Sequence, residues 1–178
     1  MGTDEERFHV AYDTCYAPVF RYAARRVAAD AVEDIVAEAF VVAWRRRRDL
    51  PETPLPWLYA IARRTIANHE RGRRRGSRLL AALLPAGRVH AQEAPGIANV
   101  HLRWAIGQLP ERDREVLRLV AWEGLSVSET AAVMGCTAAT ASVRLHRARG
   151  RLRRLLDEPE APARGAQRPQ SHEATSEV

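Results

Sequence analysis

LSVSETAAVMGCTAATASVRLHRARGRLRRLL, residues 125–156, is the stretch from which the rest of the chain can be read. Ser126 stands three residues before Glu129, the Ser-x-x-Glu spacing of a capping box that opens a helix. In the short helix that follows, Val127, Thr130, Ala131 and Met134 fall on one face at helical spacing. Gly135 supplies the permissive backbone at which that helix stops. Thr137 is the N-cap candidate for a second, longer helix, with Ala141, Leu145, Ala148, Leu152 and Leu155 on its inward side. Two helices joined by so tight a turn make a helix-turn-helix, and small Ala131 suits their close approach.

The outer face of the second helix carries Arg144, Arg147, Arg151 and Arg154 at i, i+3, i+7 and i+10, with Arg149 and Arg153 beside them. A charged outer face is ordinarily a solvated face. Here, however, no acid lies between Ala138 and Leu156 to pair with six guanidiniums. A polyanion would relieve their repulsion, and arginine suits phosphates and guanine edges. Duplex DNA is the preferred partner.

Composition agrees. Formal net charge is +6 with a sequence pI near 10.3, and the 28 basic residues are all arginine. Such an excess favours nucleic acid or an acidic membrane surface over a neutral partner. No apolar run approaches the roughly 18–20 residues that span a bilayer, so no membrane insertion is expected. MGTDEERFHV has no signal-peptide pattern, which places the protein in the cytoplasm. Cys15 and Cys136 are too few and too isolated for a disulfide framework or a zinc site and read as small buried residues. No metal site, catalytic residue or cofactor is expected.

Taken in order, residues 1–28 form an amphipathic helix with Phe8, Tyr12, Cys15, Tyr16, Val19, Ala23 and Val27 on one face, while Arg21, Arg25 and Arg26 face elsewhere. Asp30 is a cap candidate for the next helix, roughly 31–47, whose inward stripe is Val32, Ile35, Val36, Ala39, Phe40 and Ala43. Its other side carries Glu33, Asp34 and Glu38. Acids favour a helix N-terminus, which accounts for Glu33 and Asp34 better than for Glu38. Three prolines in Asp49–Pro56 interrupt the pattern, and a third helix starts near Trp57. Leu58, Ile61, Ala62, Thr65 and His69 are its core side, and Arg64, Asn68, Arg71 and Arg75 share a stripe. Trp57 reads as core packing.

From Gly72 to Ala98 the composition turns basic, then briefly apolar, then Gly- and Pro-containing, which marks a domain boundary. A second helical unit follows. One helix carries Leu102, Ala105, Ile106 and Leu109, and another begins at Pro110, buries Val116, Leu119 and Val120, and closes at Gly124. The segment after Leu156 lacks apolar periodicity and reads as disordered. The expected organisation is all-α: two small helical domains joined by a flexible linker, the second with a helix-turn-helix. Its parts are 1–78, a linker at 79–98, 99–156, and a tail at 157–178.

Four stretches, in this order and spacing, resemble the extracytoplasmic-function (ECF) sigma factors, the small two-domain members of the bacterial sigma-factor family. They are RYAARRV (Arg21–Val27), VEDIVAEAFVVAW (Val32–Trp44), PWLYAIARRTIANHERGRRR (Pro56–Arg75), and LPERDREVLRLVAWEGLSVSETAAVMGC (Leu109–Cys136) running into RLHRARGRLRRLL. The resemblance implies an initiation subunit that binds core RNA polymerase and directs it to promoter DNA. It implies that Asp34, Glu38, Val41 and Trp44 dock on the largest polymerase subunit, which gives the acidic patch a partner. It also implies that Arg64, Asn68, Arg71, Arg74 and Arg75 meet the minus-ten element. Thr137, Ala138, Ala139, Thr140, Ser142, Val143, Arg144 and Arg147 would meet the minus-thirty-five element through the major groove. An anti-sigma partner is common in the family, though no residue here demands one. Where the family commonly reads Gly-Thr-Val-Lys-Ser-Arg, this chain has Ala139-Thr140-Ala141-Ser142-Val143-Arg144, so promoter preferences do not transfer at those positions.

The alternative is a helix-turn-helix regulator that acts without core polymerase. Such a protein has no use for the acid-faced helix Val32–Trp44. An enzyme is disfavoured by the lack of a ligand cluster, phosphate loop or nucleophile motif, and an RNA-binding sheet module by the lack of an aromatic strand platform.

Overall fold

The computed structural model describes residues 3–81 and 100–157, with side chains as far as Arg73 in the first block. From 82 onward the expected linker lies outside the described residues, as does the expected tail from 158. Every regular element among the described residues is helical, as the periodicity predicts. The helices are α1 (Asp4–Ala24), α2 (Val32–Arg45), α3 (Pro54–Ala81), α4 (Val100–Gln108), α5 (Glu111–Ala121), α6 (Val127–Met134) and α7 (Ala138–Asp157). Short 3-10 turns at Ala29–Ala31 and Arg47–Asp49 flank α2.

Helices α1, α2 and α3 pack on one another, and α7 packs against α4, α5 and α6. α1 opens with a capping box: Glu6 N–H donates to Thr3 Oγ1 at 3.2 Å, and Thr3 N–H donates to the Glu6 carboxylate at 2.7 Å. It continues through Pro18, whose missing N–H is the reason an interior proline is normally excluded. Phe8, Cys15, Val19, Ala23 and Val27 are buried as expected. Tyr12 and Tyr16 are instead 39% and 37% exposed and lie against Phe40, Tyr12 edge-on and Tyr16 stacked. Tyr22, absent from the expected face, is wholly buried.

α2 buries all six residues of its expected stripe. Asp30 does not cap it, because it sits inside the 3-10 turn and Ala31 holds the N-cap position without a side-chain bond. α3 starts three residues earlier than expected, at Pro54. Proline is tolerated in a first turn, where its absent N–H has no helical partner to lose. His69 turns outward, and Ile66 takes the inward place beside Leu58, Ile61, Ala62 and Thr65.

The two helical groups share apolar core. Leu119, Leu125 and Val133, from the second group, join the cluster built on α1, α2 and α3, and α6 packs directly on α3. Val116, Leu145 and Ala148 form a smaller cluster beneath α7. Leu119 is fully buried, and its truncation to Ala costs about 2–5 kcal/mol.

Candidate nucleic-acid and polymerase surfaces

The helix-turn-helix is held by local bonds. Ser126 N–H donates to Glu129 Oε2 at 2.8 Å, and Glu129 N–H donates to Ser126 Oγ at 3.2 Å. The Ser126 hydroxyl also donates to Glu129 Oε2 at 2.6 Å, and this bond first, with the Ser126 N–H second, stabilises the charged carboxylate and holds the Glu129 pKa below its ordinary value. Gly135 ends α6 at φ +65°, a left-handed conformation costly for side chains with a Cβ, and Cys136 N–H closes back on the Ala131 carbonyl at 3.0 Å. Thr140 N–H donates to Thr137 Oγ1 at 3.2 Å, the N-cap bond expected of Thr137. Ala141, Leu145 and Ala148 then anchor α7 inward.

That anchoring fixes what α7 shows to solvent. Thr137, Ala138, Ala139, Thr140, Ser142, Val143 and Arg147 are exposed, and Arg144 is half-buried. Arg144 and Arg147 line a groove beside Pro110 and Glu111, at the start of α5. Six unneutralised arginines were expected on this face, and one is taken. Arg151 pairs with buried Asp113 of α5, a partner 38 residues away that no local pattern shows.

On α2 the expected acidic stripe is outside. Asp34 and Glu38 are exposed, Val41 is 48% exposed and Trp44 37%, all across the helix from Ile35, Val36, Ala39 and Ala43. Trp44 keeps an edge on Phe8 at 5.1 Å, and Arg47 lies over its ring at 4.3 Å. On α3, Arg64, Asn68 and Arg71 are exposed, with Arg71 donating to the Asn68 side chain. The side chains of Arg74 and Arg75 lie outside the described residues.

A second set of charged groups was not anticipated from the sequence. At the end of α1, Tyr22 Oη donates to Glu115 Oε1 at 2.8 Å. Arg26 donates through Nε to the same carboxylate at 3.1 Å and through Nη1 to Glu123 at 3.0 Å. Arg25 also pairs with Glu123. The Arg26 and Glu115 side chains are each only 6% exposed, so this pair joins the helical groups inside the protein. Burial raises the Tyr22 pKa well above its ordinary value. Burial works against the Arg26 charge, but Tyr22, Glu115 and Glu123 outweigh it, and its pKa rises. Tyr59, stacked on Tyr22 at 4.8 Å, is pushed up to about 12, by burial first and Glu123 second. Arg118 is 8% exposed and its pKa falls, through burial and then through Arg26.

Helices alone among the described residues, a helix-turn-helix and an exposed arginine face define the class of helix-turn-helix DNA-binding proteins, and this chain adds a separate acid-and-apolar stripe on α2. Comparison with known proteins makes this specific. Residues 11–76 match Sigma-70 region 2, and residues 102–152 match Sigma-70, region 4. The chain is 33% identical over 141 residues to the RNA polymerase sigma factor CnrH of Cupriavidus metallidurans, covering 71% of this chain and 73% of that one. It is 34% identical over 173 residues to the ECF RNA polymerase sigma factor SigD of Mycobacterium tuberculosis, covering 89% and 79%. The solved structure of CnrH in complex with the cytosolic domain of CnrY superimposes with a TM-score of 0.59 at 27% identity, over 86% of this chain and 89% of that one. The sigma factor RpoE, solved with the anti-sigma factor NepR from Bartonella quintana, shares the fold with a TM-score of 0.66 at 23% identity, over 87% and 99%.

The chain belongs to the extracytoplasmic-function group of the sigma-70 family. It is an RNA polymerase sigma factor, which binds core polymerase and directs promoter-specific transcription initiation.

Proposed function

We propose that three surfaces divide the work of this sigma factor. Asp34, Glu38, Val41 and Trp44 contact core RNA polymerase. Arg64, Asn68, Arg71, Arg74 and Arg75 engage the minus-ten element, where a basic stripe follows a separated strand. Thr137, Ala138, Ala139, Thr140, Ser142, Val143, Arg144 and Arg147 read the minus-thirty-five element from the major groove. The unit at 1–78 carries the first two tasks and the unit at 99–156 the third, with 79–98 as the connection and 157–178 as a tail. The protein acts by binding alone, in the cytoplasm. Among the described residues no helix is long and apolar enough to cross a membrane. The anti-sigma factors bound to similar proteins support an anti-sigma partner here as well.

The observation that carries this reading is the α2 stripe: two acids one turn apart, with Val41 and Trp44 exposed beside them, on a helix whose opposite side is fully committed to the core. A DNA-only regulator has no task for it. Asp34→Arg combined with Glu38→Arg tests the reading. Both positions are exposed, so melting should move by no more than about 0.5 kcal/mol in stability. Against a basic partner surface the reversal costs several kcal/mol, and core-enzyme binding and run-off transcription should be lost together. A folded double variant that binds core polymerase like the wild type would reduce the acids to helix-start electrostatics.

A further inference from the structure

Between the end of α1, the outer side of α3 and the α4–α5 corner lies a cavity of about 820 Å³. That is within the range of small-molecule sites, about 300–1,000 Å³. Nine arginines line it against three glutamates, Glu70, Glu111 and Glu115. Part of that charge is spoken for: Arg25 and Arg26 bind Glu115 and Glu123, and Arg114 donates to the Gly107 and Leu109 carbonyls at 2.9 and 3.0 Å. Arg63, Arg64, Arg112 and Arg118 pair with no carboxylate and make no hydrogen bond among the described residues. Arg118 is the telling member. It is more than nine-tenths buried, its Nε has no partner, its guanidinium lies 5.5 Å from the Trp122 ring, and Glu115 and Glu111 favour its charge only from beyond ion-pair distance.

A buried arginine with no directly bonded counter-charge is costly, because the desolvated cation must be compensated by something. Here its neighbours make matters worse, since Arg26 and Arg114 line the same wall with buried donors of their own unfilled. Among the described residues no carboxylate bonds to Arg63 or Arg118. A compact ligand with several phosphate oxygens would complete the site, because planar guanidiniums grip phosphate in pairs of parallel hydrogen bonds.

We propose that this interdomain cavity is a binding site for a small oligophosphate anion, inorganic or nucleotide-borne, gripped by Arg63 and Arg118 from opposite helical groups. Bound there, the anion joins α3 to α5 and holds the two groups together. Arg64 and Arg71 also line the cavity. On the minus-ten reading given above, a bound anion and promoter DNA would therefore compete, and that consequence alone rests on the reading.

The test uses the full chain and does not depend on polymerase. Inorganic tripolyphosphate is titrated calorimetrically and by thermal shift, against sodium chloride at equal ionic strength to remove general screening. Saturable 1:1 binding and a higher melting temperature are expected. The pair Arg63→Gln and Arg118→Gln should weaken binding by about tenfold or more, the loss of charge-assisted hydrogen bonds. The charge-matched pair Arg45→Gln and Arg48→Gln, exposed at the end of α2 and in the turn that follows it and outside the cavity lining, should leave it unchanged. Removing a buried unpaired cation should also raise the melting temperature of Arg118→Gln in phosphate-free buffer, opposite to the effect of losing a structural contact. ATP in place of tripolyphosphate tells a nucleotide from an inorganic ligand, and binding by either supports the site. The proposal is overturned by no effect beyond that of sodium chloride, by equal weakening in both variant pairs, or by binding confined to a single-stranded oligonucleotide or a poly-glutamate peptide.

Discussion

Arginine is used in two opposite ways in this protein, on the outer face of α7 and at the junction of α1 with α5. On α7, Arg144, Arg147, Arg149, Arg153 and Arg154 make no ion pair with an acid among the described residues, and all but Arg144 are exposed. Their charge faces outward, available to DNA. At the junction, Arg26 is inside the protein, bonded to Glu115 and Glu123 and lying over the Tyr22 ring at 3.5 Å. The first set costs the fold little and gives it little, because exposed charges are screened by water and salt. The second set joins two halves of the molecule. The lesson is that residue type and charge do not assign a task here, whereas burial and the source of the partner do.

The comparison breaks most visibly at Glu115. Replacing it with Ala leaves Arg26 a buried cation with one counter-charge fewer and leaves the Tyr22 hydroxyl without its acceptor. Removing one member of a buried pair costs on the order of 3–5 kcal/mol. Chemical denaturation of the Glu115→Ala variant should show that loss, or small-angle scattering should show the two helical groups parting. An unchanged midpoint together with unchanged dimensions would mean the network holds nothing.

Arg147 sharpens the other side. Arg147→Ala should leave stability within about 0.5 kcal/mol, yet reduce promoter affinity by on the order of 1–3 kcal/mol with weaker base discrimination if it reads a base edge. If Arg147 touches phosphate only, affinity should fall evenly across sequences and the salt dependence should flatten. Binding isotherms at two salt concentrations on matched and scrambled sites distinguish these cases. Promoter binding equal to wild type would remove Arg147 from the DNA surface.

What was legible in the sequence follows the same division. Interactions within one or two turns could be read directly: the Ser126–Glu129 box, the stop at Gly135, the Thr137 cap, the α2 stripe and the inward face of α7. Each of these is fixed by spacing. The junction could not be read because its partners are 89 to 98 residues apart. The sequence was also misleading at α5. In ERDREVLRLVA, Glu115 and Arg118 are three apart and resemble an ordinary solvated helix pair. The fold gives Glu115 to Arg26 instead and leaves Arg118 buried with no acid in ion-pair contact. Arg151 escaped the reading of its own helix for the same reason. His69 and the two exposed tyrosines of α1 show the smaller error, a correct helix whose apolar face was drawn about one residue too wide.

The smallest expected effect tests the local side of the comparison, at Glu129. Its carboxylate accepts from Ser126 N–H and from Ser126 Oγ, and both bonds favour the ionised form. The folded pKa is therefore depressed below the unfolded value, about 4.3. For a carboxylate shifted down, the unfolded state takes up its proton first as pH falls. The stabilisation is then fully present above the unfolded pKa and disappears as pH drops through the lower folded value. Glu129→Gln keeps an acceptor for the Ser126 N–H but cannot ionise, so it isolates the charge. Glu129 is partly exposed at a helix start, so the difference from wild type should be only a few tenths of a kcal/mol at neutral pH. That difference should hold level down to about pH 5 and shrink to nothing in more acid solution. Paired melting curves of the two proteins from pH 7 to pH 3 measure it. A gap that stays constant with pH would show that the cap works through hydrogen-bond geometry alone, with no contribution from its charge.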